Sequence, residues 1–144
     1  MSVETKTEVN VQQAVPFFNV SDMEQSLRFY QDGLGFTMKY KWIDEGKLRW
    51  CWLELGNAAL MLQEYRTEGH NPWKPEGKVG VGVSVCLMCR DALSIYRESR
   101  SRGLEPRKPF VGNALWVVNF KDPDGYVICF ESPTDVPEET EYTE

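Results

Sequence analysis

AVPFFNVSDMEQSLRFYQDGLGF, residues 14–36, divides into an apolar run, a helix signal and a stop. Ala14 to Val20 suits a strand. Ser21-Asp22-Met23-Glu24 has the S-x-x-E form of a capping box, in which side-chain oxygens take up the free N–H groups of a helix start. Met23, Leu27 and Tyr30 recur at i, i+4 and i+7 on one helical face, and Gly33 is placed to end the helix. Three strands are predicted next, Phe36 to Ile43, Leu48 to Leu55 and Ala58 to Tyr65, separated by Asp44-Glu45-Gly46 and Gly56-Asn57.

The same order returns from Val79 onwards. Val81 to Leu87 reads as a strand and Asp91 to Arg102 as a helix that Gly103-Leu104 ends. Strand signals follow near Phe110, from Ala114 to Phe120 and from Tyr126 to Phe130. Val20 to Leu87, Leu34 to Leu104 and Gly56 to Gly125 are offsets of 67, 70 and 69 residues, so whole elements repeat in type and order. The fold class predicted is α+β: two tandem βαβββ modules forming curved mixed sheets around a cleft, with helices on the convex faces. The expected layout is a flexible N-terminus over 1–12, one domain over 13–133 (modules 13–66 and 79–133, linker 67–78), and a disordered acidic tail over 134–144.

Composition narrows the function classes. With 42% apolar and 12% aromatic residues the chain has ordinary globular content. Five of the six net negative charges lie in TDVPEETEYTE and one in MSVETKTEVN, so the residues between them are neutral. A neutral body gives no electrostatic footprint for nucleic acid. No stretch approaches the roughly 18 continuous apolar residues of a membrane span, and the polar start resembles no export signal, so a cytoplasmic protein is expected. The four cysteines should then be reduced thiols. Cys86 and Cys89 make a lone C-x-x-C, for which zinc would want a second pair or histidines, and the chain has one His.

Period-two alternation assigns the strand faces. Phe18, Val20, Leu53, Leu55, Leu60, Leu62, Val83, Val85, Leu87, Val118, Phe120, Ile128 and Phe130 should pack under helices. The opposite faces should line the cleft, and they supply the candidate ligand-binding residues Phe17, Asn19, Trp50, Trp52, Met61, Gln63, Ser84, Asn119, Cys129 and Glu131.

The pieces NVSDMEQSLRFYQDGLGF (Asn19 to Phe36), LELGNAALMLQE (Leu53 to Glu64) and NFKDPDGYVICFE (Asn119 to Glu131) resemble the vicinal oxygen chelate superfamily. That group includes glyoxalase I, bleomycin-resistance proteins and extradiol dioxygenases, and the likeness spans about residues 14 to 133. In metal-dependent members a divalent ion is held by one residue from the first and last strand of each module, usually His or Gln and then Glu. Carried over one at a time, those positions fall on Val15, Met61, Gly82 and Cys129. An octahedral site needs oxygen and imidazole donors, which none of the four offers. The resemblance therefore implies no metal, no cofactor and the character of the bleomycin-resistance branch, whose members lack the ion and sequester a drug in a groove, usually at a dimer interface.

The reading is a metal-independent small-molecule binding protein, a homodimer holding a small aromatic or amphipathic ligand in a Trp-lined cleft. The alternative is a glyoxalase-like lyase or isomerase, or a ring-cleaving dioxygenase, with a displaced metal site. Glu131 and Glu54 are the candidate acid and base for that case, if their strands converge. Trp42, Trp73 and Trp116 read as core or loop packing and His70 as an exposed loop residue. Arg97, Arg100, Arg102, Arg107 and Lys108 read as a solvated face, because Glu98 and Glu105 interleave. Asp122-Pro123-Asp124-Gly125 reads as a turn whose carboxylates bond nearby backbone.

Overall fold

Asp22, rather than Ser21, starts the first helix. In the computed structural model, which describes residues 9–144, Asp22 is extended and its Oδ1 accepts the Gln25 N–H at 3.2 Å. The capping box expected at Ser21 and Glu24 does not form, because distant carboxylates take the neighbouring donors. Ser21 N–H bonds Asp124 at 3.1 Å and Met23 N–H bonds Glu64 at 2.8 Å. The helix α1 (Met23–Leu27) continues as a π-helical turn, Arg28–Gly33, that buries Phe29 and Tyr30.

The strands are β1 (Phe17–Val20), β2 (Thr37–Asp44), β3 (Lys47–Leu55) and β4 (Ala58–Glu64), then β5 (Ser84–Met88), β6 (Phe110–Gly112), β7 (Leu115–Lys121) and β8 (Val127–Pro133). The second helix, α2 (Ala92–Ser101), is capped by Asp91 and closed by Gly103 at φ +93°. The chain is thus α+β, with two four-stranded mixed sheets ordered β1-β4-β3-β2 and β5-β8-β7-β6. In each, the first strand lies parallel to the last and the others are antiparallel.

Two first strands are shorter than expected. Pro16 has no N–H to continue a ladder, so β1 begins at Phe17 and leaves Val15 outside it. Gly80 and Gly82 sit at φ +75° and +79°, which breaks extension before Ser84. Val83 was expected under a helix, yet it is 63% exposed in that loop.

Phe18, Val20, Leu53, Leu60, Leu62, Val118, Phe120, Ile128 and Phe130 are buried as the alternation requires, in one cluster that spans both modules; Leu55, Val85 and Leu87 pack half-buried against it. The modules therefore meet through their helix-bearing faces. Phe18 stacks on Tyr126 at 4.1 Å, Tyr126 OH donates to the Asn19 carbonyl at 3.0 Å, and Tyr30 OH donates to Asp122 at 2.8 Å. Asp122 also accepts from the N–H groups of Asp124, Gly125 and Tyr126, which makes it the structural centre of its turn.

The acidic tail is a correction to the sequence reading. Rather than being disordered, it pairs with the short edge strand β6 through Glu139 N–H to Val111 O, Val111 N–H to Thr140 O and Tyr142 N–H to Pro109 O. Charge composition argued for solvation, but an edge strand has unpaired backbone groups that a neighbouring segment can satisfy. Tyr142 packs edge-on to Tyr96 and Trp116, and Arg100 pairs with Glu144 at 3.3 Å. Residues 1–8, most of the expected flexible N-terminus, lie outside the described residues. Among the described residues no helix is long and apolar enough to cross a membrane.

Candidate functional site

Strand register gathers the candidates into cross-strand rows. On the first sheet Phe17 is opposite Met61, Met61 opposite Trp52 and Trp52 opposite Tyr40. The next row runs Asn19, Gln63, Trp50, Trp42. Cross-strand neighbours in register touch when their side chains are large. Tyr40 meets Trp52 edge-on at 6.0 Å, and the Trp52 indole N–H donates to Glu54 at 3.0 Å. Phe17, Tyr40 and Trp42 are 46%, 53% and 44% exposed. Trp42, expected in core or loop packing, belongs to this exposed aromatic face instead.

The second sheet carries the other candidates. Cys86 is opposite Cys129, and Cys129 opposite Asn119; one row further on, Met88, Glu131 and Val117 align. The Cys129 thiol donates to Asn119 Oδ1 at 2.7 Å. Burial, then the adjacent Cys86 thiol, pushes the Cys129 thiol up to about 11, so it is protonated at neutral pH. The C-x-x-C is not a chelating pair, since Cys86 meets Cys129 while Cys89 lies past the strand and bonds the Glu131 carbonyl. The β5–β8 register, which no local sequence pattern reveals, is what sets Cys86 beside Cys129.

These two sets are not brought together within the chain. Both faces turn away from the shared core, and neither of the two concavities described next takes in both the aromatic rows and Asn119, Cys129 or Glu131. A groove of about 750 Å³ runs between the linker segment 75–83 and the turn 121–125, and it reaches only Ser84 among the candidates. A smaller concavity of about 90 Å³ takes in Asn19, Gln63, Trp42, His70 and Trp73. Trp73 packs edge-on to Tyr65 at 5.3 Å, so His70 and Trp73, read as loop residues, border the aromatic sheet face. Glu54 and Glu131 stand on different sheets and share none of these concavities. Glu54 is instead held by Lys39 at 3.4 Å and by the Trp52 indole.

Glu64 is a key structural residue that lies outside the candidates named from the sequence. It is 7% exposed and accepts from Met23 N–H, from Lys47 at 2.7 Å and from Arg49 at 3.1 Å. Its position on a strand of alternating burial, with basic residues on the neighbouring strand, was the available signal. The carboxylate anchors α1 to the sheet.

An octahedral ion does not fit the positions that the resemblance assigns to one. Val15 precedes β1, Gly82 lies in the loop before β5, and Met61 faces Phe17. Ser84, which stands as far before the cap Asp91 as Val15 does before the cap Asp22, is no better a donor.

Solved structures with this fold include a glyoxalase/bleomycin resistance protein from Streptomyces sp. CB03234, at 23% identity and TM-score 0.65, covering 84% of this chain and 100% of that one. TnmS3, an antibiotic binding protein from the same organism, matches at 24% identity and TM-score 0.65 over 85% of this chain and 98% of its own. A bleomycin-binding protein complexed with bleomycin matches at 22% identity and TM-score 0.63 over 85% and 98%. No curated protein matches the chain in sequence. The model of the Glyoxalase/Bleomycin resistance protein/Dioxygenase superfamily matches residues 11–130. The chain, with its two βαβββ modules, belongs to that superfamily.

Proposed function

We propose that this protein is a metal-independent binder of a small aromatic or amphipathic compound, and that a second copy of the chain completes the cleft. The observation that carries this reading is the aromatic face of the first sheet: Phe17, Tyr40, Trp42, Trp50 and Trp52 in register, beside Met61, Asn19 and Gln63. Large flat side chains with a few hydrogen-bonding groups suit a planar ligand. Ser84, Asn119, Cys129 and Glu131 would form the opposing, more polar wall from the partner copy. The antibiotic-binding and bleomycin-binding neighbours support the class of ligand. The absence of donors at Val15, Met61 and Gly82 supports binding without an octahedral ion. Four unpaired thiols fit a reducing compartment, here the cytoplasm.

Tryptophan fluorescence titrated with a panel of planar antibiotics, neutral and cationic, tests the reading. Saturable quenching with at least one compound is expected. In Trp52→Ala the affinity for that compound should fall by about tenfold or more, the scale of losing one stacked aromatic anchor. Quenching that persists unchanged in both Trp50→Ala and Trp52→Ala would remove the aromatic face from the site.

A further inference from the structure

We propose that Cys86, Cys129 and Glu131 form a binding site for a soft divalent cation of the zinc class. Cys86 and Cys129 are register partners on the parallel pair β5–β8. Glu131 lies two residues beyond Cys129, and the pleat returns alternate side chains to one face. The two sulfurs and a carboxylate oxygen all lie within 4.8 Å of one another. A tetrahedral ion about 2.3 Å from sulfur and about 2.0–2.2 Å from oxygen holds its donors about 3.5–3.8 Å apart. Side-chain rotations that move these atoms by on the order of 1 Å therefore close the site.

The chemistry separates this site from the octahedral one excluded above. Two thiolates and one carboxylate select a zinc-like or cadmium-like ion, whereas magnesium or nickel wants oxygen and nitrogen donors. The geometry differs too: all three donors come from one sheet, and only Cys129 is shared with the positions carried over from the family. Cys129 is buried, Glu131 is half-buried and Cys86 is exposed, so the site has a floor and a mouth. Its fourth coordination position opens outward, where water or a donor atom of a ligand can enter. Asn119 supplies the outer partner. Its amide oxygen now accepts from the Cys129 thiol, and the same amide turned over donates N–H to a thiolate. Each ion bound displaces two thiol protons.

The inference stands apart from the aromatic-ligand reading, and its test uses only ions. The 144-residue chain, kept reduced with a non-chelating phosphine, is titrated with Cd²⁺, and the ultraviolet thiolate-to-metal charge-transfer band is followed. One equivalent should saturate the band, two protons should be released per ion, and Zn²⁺ should displace Cd²⁺. Cys86→Ser and Cys129→Ser should each weaken binding by more than the roughly tenfold cost of losing an outer partner. Glu131→Gln should weaken it with less change in band intensity, because both sulfurs remain. Cys89→Ser should leave the titration as in the wild type. Where a variant fails to fold, zinc-edge X-ray absorption of the wild-type complex decides: two sulfur neighbours are expected, and one or three would overturn the assignment. No charge-transfer band in the wild type, or a band unchanged in Cys129→Ser, would also overturn it.

Discussion

Glu64 shows how a buried carboxylate can be structural rather than catalytic. Its oxygens are divided among a helix-start N–H, Lys47 and Arg49, so each charge has a partner. Replacing it by Gln keeps one acceptor for Met23 but loses both ion pairs. Breaking a fully buried pair costs about 3–5 kcal/mol. Lys47 is 56% exposed and can return to water, but Arg49 is 18% exposed and would keep an unpaired charge, so Glu64→Gln should cost about 3 kcal/mol, read from urea unfolding. Tyr30 and Asp122 form the equivalent link between modules. Tyr30→Phe leaves the carboxylate its three backbone donors, so a loss of about 1–2 kcal/mol is expected, with the largest rise in hydrogen exchange at the Asp122 turn. Cys51 gives a pH dependence. Burial holds its thiol up at about 11, whereas an unfolded thiol ionises near ~8.5. Both states are protonated below ~8.5, where this contribution to stability is complete; it is lost as pH rises towards 11, because the unfolded chain releases the proton first. The melting temperature of the wild type should therefore fall more steeply between those values than that of Cys51→Ala. Equal slopes would sink the assignment.

At the scale of elements, Gly33 was legible as a glycine that matters but not for the right reason. It was read as a helix stop, yet the positive φ falls on Gly35, and Gly33 sits inside the π-helical turn. A Cβ there would stand 2.7 Å from Leu104 Cδ1, so the residue is small because the second module packs against it. Gly33→Ala should destabilise by about 1–3 kcal/mol, the range for overpacking, and Leu104→Ala should restore part of that in a double-mutant cycle. Additive losses would show that the two side chains do not meet. The strand-helix repeat itself was readable, because each element carries its own periodicity. Strand starts were not: they depended on Pro16 and on Gly80 and Gly82, whose backbone effects local apolarity hides. The docked tail was unreadable for a different reason, since its backbone pairs with β6 while its acidic side chains point to solvation. Glu138 adds a specific contact there, accepting from the N–H groups of Asn113 and Ala114, which sit at φ +54° and +62°. Truncation after residue 137 should speed hydrogen exchange at Val111 and lower the melting temperature. An unchanged exchange rate at Val111 would contradict the pairing.

For the whole molecule, the modules turn their helix-bearing faces towards each other and leave two mixed faces outward. Alternation identified the residues of those faces, from Phe17 and Trp52 to Asn119 and Glu131. What one sequence could not state was whether the faces meet inside a chain, because that depends on how the modules dock rather than on any local pattern. Here docking is set by Phe18 on Tyr126, Tyr30 on Asp122 and Gly33 against Leu104. The outward aromatic face is costly to leave wet, with Phe17, Tyr40 and Trp42 each 44% exposed or more. On the proposed two-copy cleft, this apolar surface, rimmed by polar groups such as Lys39, Glu54 and Gln63, is where the partner would dock. A second copy that covers it, presenting its own Asn119 and Glu131 wall, would need to bury about 1,600 Å² in total to be stable. Light scattering should then give twice the chain mass of 16.6 kDa. Trp42→Glu places a charge within that interface while touching none of the buried core, so it should produce a monomer whose circular dichroism is unchanged. Ligand quenching of Trp50 and Trp52 should disappear in the same variant, because half of the cleft leaves with the partner. A wild-type monomer that still binds ligand would overturn the two-copy cleft, and a dimer that survives Trp42→Glu would move the interface away from this face.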